Sequence, residues 1–257
     1  MELTLSGRSA LIFGSTQGIG HAIATLFAHE GATVTLVGRN PSSLQDLIAT
    51  LDGEGHNHLV VDQEDPESIL AGAKQVSDKV YDIIVNNTGG PDPGLVSDES
   101  WGNFEKALTK QLRCSQEFTR AILPGMRQRK FGRVINIIST SVKVPIYGLG
   151  VSNTVRGAVA SWAKTLSMEV GVDGITVNNL LPGFINTGRL KQIIDNQAVK
   201  SGKSPELVGQ EMAKAVPVGR FGEPQEMAAT ALFLCSEHAS YITGTSIRVD
   251  GGRTGSI

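Results

Sequence analysis

Short apolar runs alternate along the chain with longer stretches in which apolar residues recur every three or four positions. The runs are Ser9–Phe13, Thr33–Val37, His58–Gln63, Tyr81–Val85, Val134–Ile138, Ile175–Leu180 and Ser246–Asp250, and each reads as a strand. Helical spacing appears in Ile19, Ile23, Leu26 and Phe27, then in Ile69, Leu70, Ala73 and Val76 within Pro66–Val80. It returns in Val155, Val159, Trp162 and Leu166, and in Met227, Ala231 and Leu234 behind Pro224. A long helical region covers Trp101 to Lys130, with a break near Thr109. Leu190 to Val216 is the most polar part, too long for a plain loop, and predicts one or two short mobile helices. Strands alternate with helices throughout, and no repeat, linker or composition break interrupts them. The pattern predicts one doubly wound α/β domain, a mainly parallel seven-stranded sheet with helices on both faces, and a lid at about 188–216.

Composition narrows the functions this fold can serve. The 257 residues are 40% hydrophobic and 19% charged, enough to bury a sizeable core. Lys plus Arg is 23 and Asp plus Glu is 25, a net charge of -2 without blocks of one sign. Bulk electrostatics therefore give no reason to expect nucleic acid or an anionic membrane as partner. Cys114 and Cys235 lie inside helical patterns and read as reduced core residues of a reducing compartment. Met1 leads into Glu2-Leu3-Thr4 without the basic and apolar regions of a signal peptide. No apolar stretch approaches the roughly 18 residues of a membrane span. The expectation is a soluble cytoplasmic protein. His21, His29, His56, His58 and His238 show no metal-ligand spacing, and no Gly-x-Ser-x-Gly elbow occurs.

One segment carries recognisable chemistry. Gly14-Ser15-Thr16-Gln17-Gly18-Ile19-Gly20 lies between a strand and a helix. Gly14 allows the sharp turn, and Gly18 and Gly20 let backbone approach a pyrophosphate. The free N–H groups of the helix start then face the phosphates. Dinucleotide-binding folds that take NAD usually place an acid about 20 residues further on, to hold the ribose 2′-hydroxyl. No acid occurs from Gly31 to Gln45, and Arg39 ends the second strand. This favours NADP(H), with NAD(H) the less favoured alternative. Asp62 and Gln63, after the third run, can meet the adenine edge.

These residues, with Asn86-Asn87-Thr88-Gly89, Ser139, Pro182-Gly183 and Val249-Asp250-Gly251-Gly252, occur in an order and spacing that resembles the short-chain dehydrogenase/reductases. The branch containing 3-oxoacyl-acyl-carrier-protein reductases is especially similar, over about Leu5 to Gly252. Thr88 departs from the alanine of the family's Asn-Asn-Ala-Gly. The resemblance implies that Gly14, Ser15, Thr16, Gly18, Ile19 and Gly20 hold the diphosphate, and Asp62 and Gln63 the adenine. It implies that Asn87, Thr88 and Gly89 hold the adjoining ribose, and Pro182, Gly183, Ile185 and Thr187 the nicotinamide carboxamide. It also implies a homotetramer built through Gln111–Gln128, Ser152–Val170 and Ser246–Val249.

The family's catalytic set is an Asn in the long helix, a Ser after the fifth strand and Tyr-xxx-Lys thirteen residues later. Tyr delivers a proton to the substrate oxygen as hydride reaches carbon, and Lys lowers its pKa from about 10. Ser polarises the carbonyl. Here Ser139 remains, Gln111 falls at the Asn position, and Ser152-xxx-Arg156 replaces Tyr-xxx-Lys. An aliphatic hydroxyl is too weak an acid to stand in for a phenol, and a guanidinium keeps its proton. Arg156 can still clamp the nicotinamide ribose. Tyr147, five residues before Ser152, is a candidate donor, a pocket wall or a surface aromatic. Two functions remain open. One is an NADP(H)-dependent oxidoreductase acting on a carbonyl or alcohol, with Tyr147 or water as donor. The other is a catalytically impaired dinucleotide-binding protein, a cofactor sensor or partner-binding subunit.

Overall fold

The computed structural model describes residues 3–256; Met1 and Glu2, where a leader would begin, and Ile257 lie outside them. The apolar runs form β1 Ser9–Phe13, β2 Thr33–Gly38, β3 Asn57–Val60, β4 Ile83–Asn86, β5 Gly132–Ile137, β6 Ile175–Pro182 and β7 Ser246–Val249. They make one sheet in the order β3-β2-β1-β4-β5-β6-β7, and every neighbouring pair is parallel. Successive side chains of a strand point to opposite faces. Ile12, Leu36 and Val85 accordingly join a core with Ile23, Phe27 and Leu234, while Leu11, Phe13 and Ile84 join another with Ile69 and Phe118.

Several element boundaries differ from the hydrophobic pattern. The run His58–Gln63 is a strand only to Val60; the Val61 N–H still donates to Gly38 O at 2.9 Å, and the chain then turns, with Asp62 Oδ1 accepting the Glu64 N–H at 3.0 Å and the Asp62 N–H donating to Ser68 Oγ at 2.9 Å. That turn takes Asp62 and Gln63 out of the ladder. The helix expected over Pro66–Val80 ends at Val76, the last residue it buries, and Val80 is exposed. β6 also runs past Leu180 to Pro182, which ends the edge against β7.

The helices are α1 Gly18–His29, α2 Pro41–Ile48, α3 Pro66–Val76, α4 Trp101–Leu108, α5 Cys114–Arg129, α6 Gly150–Val170, α7 Gly188–Ser201, α8 Pro205–Lys214 and α9 Pro224–Cys235. The break expected near Thr109 is a π-helical turn, Thr109–Arg113, set between α4 and α5. A π turn inserts one residue and shifts the phase of the side chains behind it, and such turns are frequent at functional sites. α7 and α8 fill the polar stretch 190–216, with Gly202 between them at φ 69. No helix among the described residues is long and apolar enough to cross a membrane.

A row of amides ties the second half of the sheet together. Asn86, Asn136, Asn179 and Ser246 are register partners on β4, β5, β6 and β7. Asn86 Nδ2 donates to Asn136 Oδ1 at 2.8 Å, Asn136 Nδ2 to Asn179 Oδ1 at 2.9 Å, and Asn179 Nδ2 to Ser246 Oγ at 3.1 Å. Buried polar groups hold their place only when paired, so this row fixes the strand ends that carry the site.

On the sheet face that carries Leu11 and Ile84, Phe118 meets Phe13 edge to face, with ring centroids 4.7 Å apart. A Cβ on Gly72 would lie 2.8 Å from Phe118 Cζ, so α3 and α5 touch through a residue without a side chain. Phe118→Ala is expected to cost about 3–5 kcal/mol in urea unfolding. A loss under about 1 kcal/mol would mean that this face collapses around the cavity.

Candidate functional site

Because all seven strands are parallel, their C-terminal ends open on one edge. The order turns between β1 and β4, and ligands of doubly wound sheets bind in the crevice outside such a switch point. Gly14 and Gly18 have φ values of 58 and 57, conformations that side chains resist. Ser15 is fully buried and its Oγ donates to Val37 O at 3.4 Å, which pins the turn to β2. Gln17 caps α1 without a side-chain hydrogen bond, and the first turn holds no acid. Thr16, Gly18, Ile19 and Gly20 therefore present an uncapped helix start, the donor set an anionic diphosphate needs.

The other expected dinucleotide contacts gather around this turn. Asn87 Nδ2 donates to Phe13 O and Gly14 O, each at 3.3 Å, and so ties the end of β4 to the end of β1. Thr88 Oγ1 donates to Gly89 O at 2.9 Å, and a Cβ on Gly89 would meet open space. A Cβ on Gly18 would lie 3.2 Å from Thr187 Cγ2, so the strip after β6 closes over the glycine-rich turn. That strip is held by the Gly183 N–H on Val249 O at 3.0 Å and by a bridge between Ile185 and Gly222. Pro182 is the last residue of β6, and Thr187 caps α7, its Oγ1 accepting the Leu190 N–H.

Arg39 is exposed just past β2, before the Asn40 cap of α2, and no carboxylate pairs with it among the described residues. Its charge contributes to holding Glu64 below the usual carboxylate range, after the hydrogen bond and charge of Lys110 and the weaker pull of Lys106. Asp62 lies in the turn after β3, and Gln63 Nε2 contacts Cys114 Sγ at 3.8 Å. The two cysteines are free and buried, and burial pushes both thiols up to about 12, so neither is a nucleophile. Among the described residues no group of His, Cys, Asp or Glu is placed to hold a metal ion.

The rearranged catalytic set comes together at the end of β5. Ser139 caps a short turn, Thr140–Val142, with its Oγ accepting the Ser141 N–H at 3.0 Å. Its own proton is left to donate. Ser152 and Arg156 are both buried on α6, one turn apart. Arg156 Nη1 donates to Ile137 O at 2.7 Å and Nη2 to Thr88 O at 3.4 Å, so the side chain spans the ends of β5 and β4. Burial pushes its guanidinium down to about 10, with the charge of Arg189 adding to the effect, and it stays protonated at neutral pH. Gln111 lies in the π turn, buried, with neither amide atom hydrogen-bonded. Arg156 Nε and Ser141 Oγ lack partners as well. Buried polar atoms of this kind cost free energy unless something satisfies them.

Tyr147 stands apart from this set. Its side chain is 91% exposed, so its hydroxyl lies in solvent. Its loop is braced by Asn153, whose Nδ2 donates to Ile146 O at 2.8 Å while Oδ1 accepts the Ile146 N–H at 3.4 Å. The Gly94–Leu149 bridge fixes the loop's other side. Two site residues were not legible beforehand. Asn153 shows no signal in the pattern beyond its place beside Ser152. Arg189, on the first turn of α7, donates to Pro91 O at 3.3 Å, and only its place in the polar lid hinted at a role.

A glycine-rich turn and an uncapped helix at the switch point of a parallel doubly wound sheet define a Rossmann-type protein. The family model described as Enoyl-(Acyl carrier protein) reductase matches residues 14–254. Oxidoreductase UcpA of Escherichia coli is 35% identical over 255 residues, covering 97% of this chain and 95% of the relative. The 3-oxoacyl-acyl-carrier-protein reductase FabG of Vibrio cholerae is 34% identical over 256 residues, covering 97% and 98%. Among solved structures, L-sorbose reductase from Gluconobacter frateurii, complexed with NADPH and L-sorbose, superposes with a TM-score of 0.94 at 31% identity over 100% of both chains. The chain belongs to the short-chain dehydrogenase/reductase family, in its 3-oxoacyl-acyl-carrier-protein reductase-like branch.

Proposed function

We propose that the protein is an NADP(H)-dependent oxidoreductase that acts on a carbonyl or alcohol substrate by hydride transfer, with a non-standard proton donor. The observation that supports this is the buried Arg156, which reaches Ile137 O at the end of β5 and Thr88 O after β4, with Ser139 following β5 and with Arg156 Nε and the Gln111 amide buried and unpaired. NADP(H) is the cofactor: Arg39 is free to meet a 2′-phosphate, no acid precedes it on the loop, and the superposed L-sorbose reductase carries NADPH. Gly14 to Gly20 hold its diphosphate, Asp62 and Gln63 its adenine, Asn87 to Gly89 its ribose, and Pro182 to Thr187 its carboxamide.

When bound, NADPH supplies the hydride. Ser139 donates its free proton in a hydrogen bond to the substrate oxygen and polarises the carbonyl. Arg156 clamps ribose hydroxyls and stabilises negative charge on that oxygen without giving up a proton. Gln111 holds a water with its free amide. The exposure of Tyr147 favours water over the phenol as the proton source. The lid 188–216 closes the single domain over substrate, and a homotetramer through α5, α6 and β7 is the assembly the family resemblance suggests.

Screening carbonyl compounds for NADPH oxidation tests the reading, with NADPH and NADH fluorescence titrations alongside. Equal or absent binding of the two cofactors would remove the Arg39 argument. Tyr147→Phe is expected to keep kcat within about twofold, as an exposed substitution does. A loss of about a hundredfold or more would make Tyr147 the donor after all. Cofactor binding with no turnover of any carbonyl would instead support a catalytically impaired cofactor sensor or partner-binding subunit.

A further inference from the structure

We propose that the substrate carries a carboxylate, bound by the exposed Arg189 beside the buried charge of Arg156; the proposal rests on the redox reading above and names its substrate class. Both guanidinium groups reach the same short segment between β4 and α4. Arg156 Nη2 donates to Thr88 O at 3.4 Å, and Arg189 Nη2 to Pro91 O at 3.3 Å. A Cβ on Gly90, between them, would lie 3.7 Å from Arg156 Nη2. Thr88 and Pro91 are three residues apart, so their carbonyls are separated by no more than about 10 Å of chain. Two cations from different helices, α6 and α7, thus converge on one loop.

No anion answers them. Among the described residues neither arginine has a carboxylate oxygen within 4.0 Å. Asp92, next to Pro91, is exposed and pairs with neither. Arg156 is 7% exposed, and its Nε has no partner. A guanidinium has five donors, and this one spends two on backbone carbonyls that bring no net charge. Buried charges are otherwise paired, and a second like charge nearby makes the unpaired state worse. An entering carboxylate supplies the missing charge, and its two oxygens match the planar fork of an arginine. The cofactor's phosphates belong at other places in the proposed complex, over the start of α1 and near Arg39. Arg189 stands on the first turn of α7, so carboxylate binding would also draw the lid helix toward the site.

The test uses the full-length protein saturated with NADPH, as wild type, Arg189→Gln and Arg189→Lys. The probes are 2-oxobutanoate, acetoacetate and levulinate, each beside its methyl ester, which places a carboxylate one, two or three bonds from the ketone. Calorimetry reads binding and NADPH oxidation reads kcat and KM separately. At least one acid is expected to bind and turn over at least about tenfold better than its ester, the effect of one charged hydrogen bond. Arg189→Gln is expected to raise that acid's Kd and KM about tenfold, and Arg189→Lys to recover part of the loss. If no acid is favoured over its ester, or if Arg189→Gln leaves the acid's Kd and KM in place, the proposal is overturned. The two readings fail differently. Acids that bind through Arg189 and are never reduced keep the carboxylate site and remove the redox function. Ketones reduced without preference for acids keep the redox function and remove the carboxylate site.

Discussion

Gly20→Ala is expected to lower NADPH affinity about a hundredfold or more and stability by about 1–3 kcal/mol. A Cβ at position 20 would lie 2.2 Å from Gly14 O and 2.7 Å from Gly14 C, both backbone, and 2.8 Å from Asn87 Nδ2. No rotamer relieves a clash with backbone. Gly14 must move, and with it the Asn87 bonds to Phe13 O and Gly14 O that tie β1 to β4. The N–H groups at the start of α1 would then no longer converge on a diphosphate. Fluorescence titration with NADPH reads the affinity, and urea unfolding reads the stability. Wild-type affinity in this variant would show that the diphosphate is held elsewhere.

The second large effect is a gain. The double variant Ser152→Tyr with Arg156→Lys is expected to raise NADPH-dependent ketone reduction by about 10²–10⁴-fold, the contribution of a positioned general acid. Ser152 and Arg156 lie one turn apart on α6, both buried, and the amide of Gln111 is buried without a partner. A phenol placed there gains a cation one turn away and a serine across the pocket. Arg156→Lys alone should lower activity, because an ammonium group cannot keep the fork that now reaches Ile137 O and Thr88 O. Steady-state NADPH oxidation on one ketone, with NADPH titration as a folding control, measures both variants. An inert double variant that still binds NADPH would place the defect beyond these two positions.

The parts of this molecule that local pattern controls were readable from residues. Each apolar run became a strand, and the switch-point glycines stood where the turn needed them. The pattern failed where a side chain captured backbone. Val61 continues the apolar run and its N–H still reaches Gly38 O, yet at Asp62 the side chain takes the Glu64 N–H and the chain turns away. A polar count could not foresee that. Near Thr109 the helical phase slips by one residue, which shows in the sequence as a break, but its identity as a π turn carrying Gln111 needs the backbone. Residue types at the candidate site were equally readable, including the loss of the phenol. Charge balance was not. That Arg156 is buried without an anion, and that Arg189 comes from a lid helix to the same loop, are facts of packing between distant segments. Tyr147 illustrates the same limit, since its place five residues before Ser152 says nothing about which way its loop turns.

The decisive property of this protein is whether it passes hydride without the usual acid. Mass spectrometry after incubation with NADPH deuterated at C4 of the nicotinamide measures it directly, with the ketone panel as acceptors. Deuterium is expected in the product alcohol of the wild-type protein, and Ser139→Ala is expected to reduce its rate of appearance about a hundredfold, the loss that follows removal of one oxyanion donor. NADPH bound with wild-type affinity, and no deuterium in any product, would contradict it.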